Sequence, residues 1–236
     1  IKNNFELLSQ EQLISLVDSN RTLDKSYAYI TFDDGYKDNY ELAFPALKTE
    51  KIPATFFVAT GLIESNIVAW WDEIAWHVKQ CANKTIQLST WTHKLTIGKF
   101  VSSQDIREVL SQFKKSPKSI ESQLTELREI SGKRLSYNES EFMSWKQLGI
   151  MEQNGMTIGA HSHSHRVLSS LNKEELVYEL SYSKKLLEDS LKNEITTISY
   201  PVGNATTYNS EMFEEIEKQG YKLAFTFRYF VNQKNQ

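Results

Sequence analysis

The chain has 236 residues, of which 40% are hydrophobic and 24% charged, and its formal net charge is −3. These values are ordinary for a globular domain with a sizeable core, and they exclude nucleic acid and anionic membrane surfaces as expected partners. No stretch of the sequence reaches the roughly 18 apolar residues that a transmembrane helix requires.

The first 60 residues alternate between strands and helices, which favours a parallel sheet or an α/β barrel. The elements predicted there are a strand at 5–8, a helix that Ser9 caps with Gln12 three residues on, a strand at 27–32, a helical stretch bent or restarted at Pro45, and a strand at 54–60. The last of these, ATFFVAT, is a continuous apolar run, which is typical of a strand buried on both faces.

The middle of the chain departs from this alternation, and we interpret it as an insertion at about 64–140. It is predicted to contain a helix at 70–80, a two-stranded ribbon at 85–97, and amphipathic helices around 103–113 and 117–130. The pattern resumes directly afterwards and no Gly/Ser-rich linker intervenes, so we predict one domain over residues 1–236 that carries this insertion. Cys81, the single cysteine, excludes an internal disulfide and is interpreted as a small, half-buried helical residue.

Regular alternation returns after the insertion. A helix at 145–154 that ends at Gly155 is predicted first, followed by a strand at 156–160. The next helix starts at Asn172 with Glu175, and its apolar face consists of Leu176, Leu180, Leu187 and Leu191. A strand at 196–200, a helix at 211–219 that stops at Gly220, and a strand at 222–227 complete the pattern. Three of the predicted strands have unusual residues at their carboxyl ends. In an α/β barrel this is the face where loops converge and catalysis occurs.

Two short strings at these strand ends provide candidate chemistry. Residues 31–35 read TFDDG, which places the carboxylates of Asp33 and Asp34 on a bend that glycine permits. Residues 161–165 read HSHSH, and a turn of helix-like backbone would bring His161 and His165 together while His163 points away. Three imidazole or carboxylate ligands leave a zinc-like ion one position for water, and a second carboxylate supplies a general base. The pattern therefore predicts a metal-dependent hydrolase rather than a solvated Asp-Gly turn and an exposed histidine loop.

The strings TFDDG and HSxxH, with an SYPVG segment downstream, resemble the polysaccharide deacetylases of the NodB-homology type, carbohydrate esterase family 4. The likeness extends to the segments NYELAFPALKTEKIPATFFVATG, MSWKQLGIMEQNGMTIGAHSHSH and GYKLAFT, in the family's order, and covers nearly all of the chain apart from the insertion. The resemblance implies an α/β fold, a distorted (β/α) barrel, and hydrolysis of an N-acetyl group from a sugar.

Carried over position by position, the resemblance implies that Asp33 is the catalytic base and that Asp34, His161 and His165 bind a divalent metal. Zinc is the expected ion, with Co²⁺ or Ni²⁺ as alternatives. The backbone N–H of Val202 would help to hold the oxyanion. The implied partner is an N-acetylated glycan, and such a substrate favours the cell envelope or a secreted protein, although no export signal is visible in a sequence that starts at Ile1 without a methionine.

The chain departs from the family pattern at two points. The third family motif often begins with an arginine that pairs with the base, whereas this chain has Ser199, so we expect Asp33 to be held less strongly in its ionised form. The late histidine that protonates the leaving amine in the family has no counterpart within residues 1–236. The general acid is therefore unassigned: the open alternatives are a residue beyond Gln236, a water molecule, or a residue of the insertion, of which His77, His93 and Asp72 are weak candidates.

Two other functions stay open at this point. The same fold and metal could serve a small-molecule amidohydrolase or deformylase, which would have a deep, closed pocket. The second is a carbohydrate-binding relative without catalytic activity. The metal triad and the free base beside it argue against this function, because a binding protein has no need of both. The Trp70-Trp71 pair in the insertion is interpreted either as a platform for a sugar ring or as packing against the main domain.

Overall fold

The computed structural model describes residues 4–19, 23, 25–136, 140–205, 207–229 and 231–232. The strands are β1 Glu6–Leu7, β2 Tyr27–Ala28, β3 Thr31–Phe32, β4 Thr55–Val58, β5 Thr85–Ile86, β6 Leu95–Thr96, β7 Thr157–Ala160, β8 Thr197–Ser199 and β9 Leu223–Phe225. The α-helices are α1 Gln10–Asp18, α2 Phe44–Glu50, α3 Trp70–Lys79, α4 Ser103–Lys115, α5 Ile120–Ser131, α6 Trp145–Gln153, α7 Lys173–Leu191 and α8 Ser210–Lys218. The chain divides into two compact units, Ile1–Ser65 with Glu141–Gln236, and Asn66–Ser140.

A parallel sheet of five strands organises the first unit. Its strand order is β3-β4-β7-β8-β9, while β1 and β2 form a separate parallel pair. In β4 the side chains of Phe56, Phe57 and Val58 are fully buried, as expected for a strand covered on both faces. The predicted α/β fold is therefore confirmed, with the described strands forming a half-barrel surrounded by helices.

The core of the first unit lies between this sheet and the helices that pack on it. The apolar face predicted for α7 is confirmed, because Leu176, Leu180, Leu187 and Leu191 all belong to the buried cluster. Burial of each such side chain contributes about 1.5–3 kcal/mol relative to exposure. This packing fixes α7 against β7, the strand that leads to the histidine string.

Helix boundaries follow the capping signals in the sequence. The predicted boxes of Ser9 with Gln12 and of Asn172 with Glu175 both form, each with reciprocal side-chain to backbone hydrogen bonds. Gly155 has a φ of +86° directly after α6, a conformation that glycine adopts without a steric penalty. These local signals therefore mark where the helices begin and end.

The helix predicted to bend or restart at Pro45 does restart there. Residues Asn39–Ala43 form a π-helix that passes directly into α2, in which Pro45 is the second residue. Proline is tolerated at this point because an N–H in the first turn has no partner within its own helix. The π-helical turn follows the TFDDG string closely, and the Asn39 side-chain amide donates to the backbone carbonyl of Asp33 at 3.4 Å.

The second unit, Asn66–Ser140, has its own core. Helices α3, α4 and α5 pack together with the antiparallel pair β5 and β6 around a buried cluster that includes Ile74, Val109 and Leu127. The predicted helices and ribbon are present, whereas the single domain with an insertion at about 64–140 stays a prediction. Cys81 differs from expectation, since it is fully buried and lies just after α3 rather than in a helix. A search of the described helices finds none long and apolar enough to cross a membrane.

Gly159 in β7 provides a test of how tightly the sheet is packed. A Cβ at this position would lie 2.5 Å from the Phe57 ring carbons Cδ1 and Cε1 and 3.0 Å from Oγ1 of Thr197, and both neighbours are fully buried. We expect Gly159→Ala to lower the free energy of unfolding by about 1–3 kcal/mol, measured by urea denaturation, because a packed core resists added volume. Gly149→Ala is the control: in α6 nothing lies within 4 Å of the added Cβ, so stability should be unchanged or higher. Equal stability of the two variants would contradict this description of the core.

Candidate metal centre

The carboxyl ends of three strands bring the predicted polar residues together. Asp33 and Asp34 follow β3, His161 follows β7, and Ser199 is the last residue of β8. Parallel strands end at the same edge of a sheet, so these residues meet although they are far apart in the sequence. This is the edge at which α/β barrels carry their catalytic groups.

The TFDDG string turns sharply after β3. Asp34 has a φ of +74° and Gly35 a φ of +88°, and the Gly35 N–H donates to the Asp33 carbonyl at 3.0 Å. Aspartate is among the few non-glycine residues that adopt this left-handed conformation readily. The bend gives the two neighbouring carboxylates different partners: Asp34 contacts histidines, whereas Asp33 contacts Ser199.

Three of the predicted ligands form one cluster. Oδ1 of Asp34 lies 3.3 Å from Nε2 of His161 and 3.1 Å from Nε2 of His165. The two histidine side chains are almost completely buried, while that of Asp34 is 27% exposed. The cluster is therefore open to solvent on the side of the carboxylate.

Nε2 of His161 is free to act as a ligand because of a hydrogen bond at its other nitrogen. Nδ1 of His161 donates at 2.8 Å to the carbonyl of Ser199, and a carbonyl can only accept. This fixes the tautomer of a neutral ring, with the lone pair of Nε2 directed at the cluster. Metal-binding histidines have such a hydrogen bond as a rule.

The spacing of the cluster fits a metal such as zinc. Zinc–ligand bonds of about 2.0–2.1 Å at tetrahedral angles place neighbouring ligand atoms about 3.3 Å apart. The two distances from the Asp34 oxygen match this value, and the three candidate atoms lie within 4.8 Å of one another. One carboxylate and two imidazoles also suit a divalent ion by charge and donor type.

The electrostatics of the cluster concentrate negative charge on Asp34. Burial alone would raise the pKa of Asp34, but hydrogen bonds to His161 and His165 outweigh it and hold the pKa well below its usual range. Burial opposes a proton on His161, yet the Asp34 hydrogen bond and both carboxylate charges raise the pKa of this imidazole. For His165, burial prevails and lowers the pKa. The carboxylate of Asp34 thus attracts a cation, either a proton on His161 or a metal ion.

The histidine string does not adopt the helical turn predicted for it. Residues 161–165 are an irregular loop in which Ser162 has a φ of +60° and His165 a φ of +55°. The prediction was wrong because hydrogen bonds other than those of a helix satisfy the peptide groups of this loop, most of them from other parts of the chain. The Thr60 and Gly61 N–H groups donate to the carbonyls of Ser162 and His163, and the Ser162 hydroxyl accepts from the His165 N–H.

His163 lies outside the cluster, as the sequence predicts. Its Nδ1 is hydrogen-bonded to Oγ1 of Thr60 at 2.9 Å, and its ring contacts those of Tyr178 and Tyr182 on α7. Burial lowers the pKa of His163, which favours the neutral ring in this setting. The loop therefore directs its first and last histidines to Asp34 and the middle one to α7.

Ser199 links the predicted base to the cluster. Its hydroxyl donates to Oδ2 of Asp33 at 3.2 Å, while its carbonyl accepts from His161. Burial is the main cause of a raised pKa at Asp33, and the nearby Asp34 charge adds to it, although the His161 charge and the Ser199 hydrogen bond act against the rise. Asp33 thus lies next to the cluster as a partly buried carboxylate with more affinity for a proton than a surface aspartate.

Val202 lies three residues beyond the end of β8, where the chain turns. Its φ is +68°, an unusual value for a β-branched residue, and Gly203 follows with a φ of +60°. A Cβ at Gly203 would lie 2.5 Å from the backbone N of Phe227, so the turn is tightly packed. The predicted role of the Val202 N–H as a hydrogen-bond donor to an oxyanion stays a prediction.

The weak candidates for a general acid lie in the second unit. His77 is buried, and its Nδ1 is hydrogen-bonded to Oγ of Ser131 at 2.7 Å. His93 is exposed and contacts Gln112. These contacts explain both histidines structurally, and no role in catalysis is assigned to either.

Glu179 holds the histidine loop, a role that the sequence did not predict. This buried residue of α7 accepts hydrogen bonds from the N–H groups of His163 and Ser164, each at 2.8 Å. Its position could have indicated a special role, because an acidic residue there interrupts the apolar stripe of Leu176, Leu180 and Leu187. The pattern alone does not show which segment such a residue contacts.

Comparisons with known proteins find relatives by sequence and by fold. A sequence model of the family described as "Polysaccharide deacetylase" matches residues 20–139 and 128–224. YxkH of Bacillus subtilis (strain 168), whose name assigns it provisionally to the polysaccharide deacetylases, is 24% identical over 224 residues. The match covers 95% of this chain and 53% of YxkH, so the chain spans about half the length of that curated relative.

Solved structures share the fold. The deacetylase PplD of Streptococcus pyogenes, in complex with acetate, is 20% identical with a TM-score of 0.59, and the match covers 95% of this chain and 66% of PplD. The deacetylase domain of BpsB from Bordetella bronchiseptica is also 20% identical with a TM-score of 0.59, over 100% of this chain and 76% of that domain. IcaB of Ammonifex degensii is 18% identical with the same TM-score, and the match covers 96% of this chain and 71% of IcaB. At these identities the likeness concerns the fold.

Proposed function

Because this chain belongs to the polysaccharide deacetylase family, we propose that it is a metal-dependent hydrolase that removes N-acetyl groups from an amino-sugar polysaccharide or glycan. The resemblance found in the sequence is confirmed by the family match. One observation carries the proposal further: an oxygen of Asp34 lies 3.3 Å and 3.1 Å from the imidazole nitrogens of His161 and His165, and the carboxylate of Asp33 lies beside this cluster.

In this proposal Asp34, His161 and His165 hold the metal. A bound divalent ion supplies positive charge that polarises an amide carbonyl and lowers the pKa of a water molecule. Zn²⁺ suits the donor set and the spacing best, and Co²⁺ and Ni²⁺ prefer similar ligands. The three side chains already lie together in the protein, which supports their role as one ligand set.

Asp33 is proposed as the general base. It takes a proton from the attacking water, a role that requires a carboxylate close to the ligands but not occupied as one of them. Two features support this role: the contacts of Asp33 differ from those of Asp34, and Ser199 fixes one of its oxygens. The same Ser199 accepts from His161, so the base and a ligand are positioned by one residue.

Val202 is proposed to donate its backbone N–H to the oxygen that becomes negatively charged when the amide is attacked. Backbone donors of this kind are fixed before the reaction and stabilise the developing charge. The left-handed φ of Val202, three residues beyond the strand that carries Ser199, supports this role, because strained backbone of this kind is often found at functional sites.

The substrate is proposed to be a polymer with N-acetylated sugars, and the product acetate. The family supports a polysaccharide, and the PplD structure contains acetate, the acid that such a reaction would release.

Acetate release tests this function directly. The protein is stripped with a chelator, reloaded with one equivalent of Zn²⁺, and incubated with N-acetylglucosamine oligomers, the monomer, a cyclic amide and a formamide. We expect acetate from the oligomers with the zinc-loaded protein and none with the stripped protein. Zinc binding without acetate from any N-acetyl sugar would contradict the proposal. Hydrolysis of the small amides alone would instead indicate a small-molecule amidohydrolase.

A further inference from the structure

Glu179 is a buried acidic side chain on α7. It is 3% exposed and lies in the stripe that otherwise buries Leu176, Leu180 and Leu187 against the sheet. Burying a carboxylate is unfavourable unless hydrogen bonds compensate it. The partners of Glu179 therefore indicate what this residue is for.

The contacts of Glu179 are with the histidine loop. Oε2 accepts from the N–H groups of His163 and Ser164, both at 2.8 Å, and Oε1 accepts from the hydroxyl of Ser164. Hydrogen bonds to a charged acceptor are stronger than those between neutral groups. One carboxylate thus satisfies three donors in the segment between His161 and His165.

A second segment, which follows β4, also holds the loop. The Gly61 N–H donates to the His163 carbonyl at 2.8 Å, and the Thr60 N–H donates to the Ser162 carbonyl at 3.3 Å. The left-handed φ values of Ser162 and His165 are uncommon for residues other than glycine, and they persist only where surrounding contacts enforce them. Glu179 supplies one of these two sets of contacts.

We propose that Glu179 is a positioning residue: by holding the backbone of residues 163 and 164, it places Nε2 of His161 and Nε2 of His165 at the spacing that a metal ion requires. The inference rests on the proposed function, in which both histidines are ligands. It predicts that metal affinity depends on hydrogen-bond acceptance at position 179, and that the carboxylate charge is of less importance.

Variants at position 179 separate these two contributions. In Glu179→Gln, the amide oxygen can accept from both N–H groups, and the NH₂ group can donate to the Ser164 hydroxyl, which both donates and accepts. In Glu179→Leu, a side chain of similar size leaves the N–H groups of His163 and Ser164 without the acceptor that Glu179 provides. Glu179→Asp keeps the charge but shortens the side chain by one methylene, so the carboxylate withdraws from the loop.

The dissociation constant for Zn²⁺ alone is the primary readout, measured on chelator-stripped protein by competition with a chromogenic chelator. We expect Glu179→Leu and Glu179→Asp to raise it by about 10–100-fold, the range for partners of metal ligands, and Glu179→Gln to change it by less than about 3-fold. The visible spectrum of bound Co²⁺ should change in the Leu variant and be retained in the Gln variant, because it reports ligand geometry.

Glu215→Leu is the matched control. Glu215 is also a buried glutamate on a helix of the first unit, but its hydrogen bond comes from Gln219 at the end of its own helix, at 2.8 Å. Urea unfolding of the metal-free proteins measures the structural cost of each substitution. We expect both Leu variants to be less stable than the parent, whereas only the one at position 179 loses zinc affinity.

The outcomes distinguish the inference from the proposed function. If the parent protein binds no zinc, the proposed function fails. If the parent binds zinc and the Leu and Asp variants bind it equally well, the positioning role is wrong. Should the Leu variant not fold, the Asp variant decides alone. A Gln variant as weak as the Leu variant would also overturn the inference, because charge rather than hydrogen bonding would then set the affinity.

Discussion

Asp33→Asn is expected to lower the turnover number for acetate release by about 10²–10⁴-fold while zinc binding stays intact, because an amide cannot accept the proton that a general base removes. Asparagine has the shape of aspartate, and its oxygen can still accept from the Ser199 hydroxyl. The measurement is acetate released per zinc-loaded protein, together with the bound zinc determined after dialysis. The combination is informative because Asp33 lies beside the ligand cluster and is not one of its three members.

Asp38→Asn provides the matched control for this prediction. Asp38 lies five residues beyond Asp33, is exposed, and makes no side-chain cap to the π-helix that follows it. The substitution removes the same charge from the same segment, so activity should be close to that of the parent. Full activity of Asp33→Asn would rule out the proposed base, and loss of zinc from that variant would show that Asp33 is a ligand.

His165→Ala is expected to lose zinc, whereas His163→Ala should retain it. The first substitution removes one of the three proposed ligand atoms, and we expect the zinc dissociation constant to rise by more than the roughly 10–100-fold typical of losing a partner of a ligand. The second removes a ring that packs on Tyr178 and Tyr182 and is hydrogen-bonded to Thr60, outside the cluster. Chelator competition and zinc content after dialysis measure both effects.

The two histidine variants control for each other, since they alter the same loop by the same chemical change. His163→Ala should lower thermal stability through its lost packing, yet bind close to one equivalent of zinc. Equal loss of zinc from both variants would show that the ligands have been chosen wrongly or that the loop collapses when any of its rings is removed.

Much of the fold was predictable because its signals are local. The run ATFFVAT indicates a buried strand from seven consecutive residues, and the structure buries it completely. Capping boxes such as Asn172 with Glu175 fix helix starts through contacts three residues apart. The proximity of Asp34 to His161 and His165 could also be predicted, because the alternation of strands and helices places all three residues just beyond the carboxyl ends of parallel strands.

The conformation of the histidine loop could not be predicted from the sequence, because it depends on contacts with distant parts of the chain. Spacing of i and i+4 indicates a helical turn only when the loop satisfies its own peptide groups, and here Gly61 and Glu179 satisfy them from distant parts of the chain. The role of Ser199 is another case. In the sequence it is a serine where an arginine is expected, but only the structure shows its hydrogen bond to Asp33.

The two contacts of Ser199 come from different parts of the residue, and this has a consequence for how the protein could vary. The bond to His161 uses the main-chain carbonyl, which any amino acid supplies, whereas the bond to Asp33 uses the side chain. A small substitute at position 199 would therefore change the proton affinity of Asp33, the proposed base, while the orientation of the His161 imidazole is preserved. If the proposed function holds, position 199 is thus a point at which the pH range of the reaction can be adjusted by one substitution, independently of metal binding.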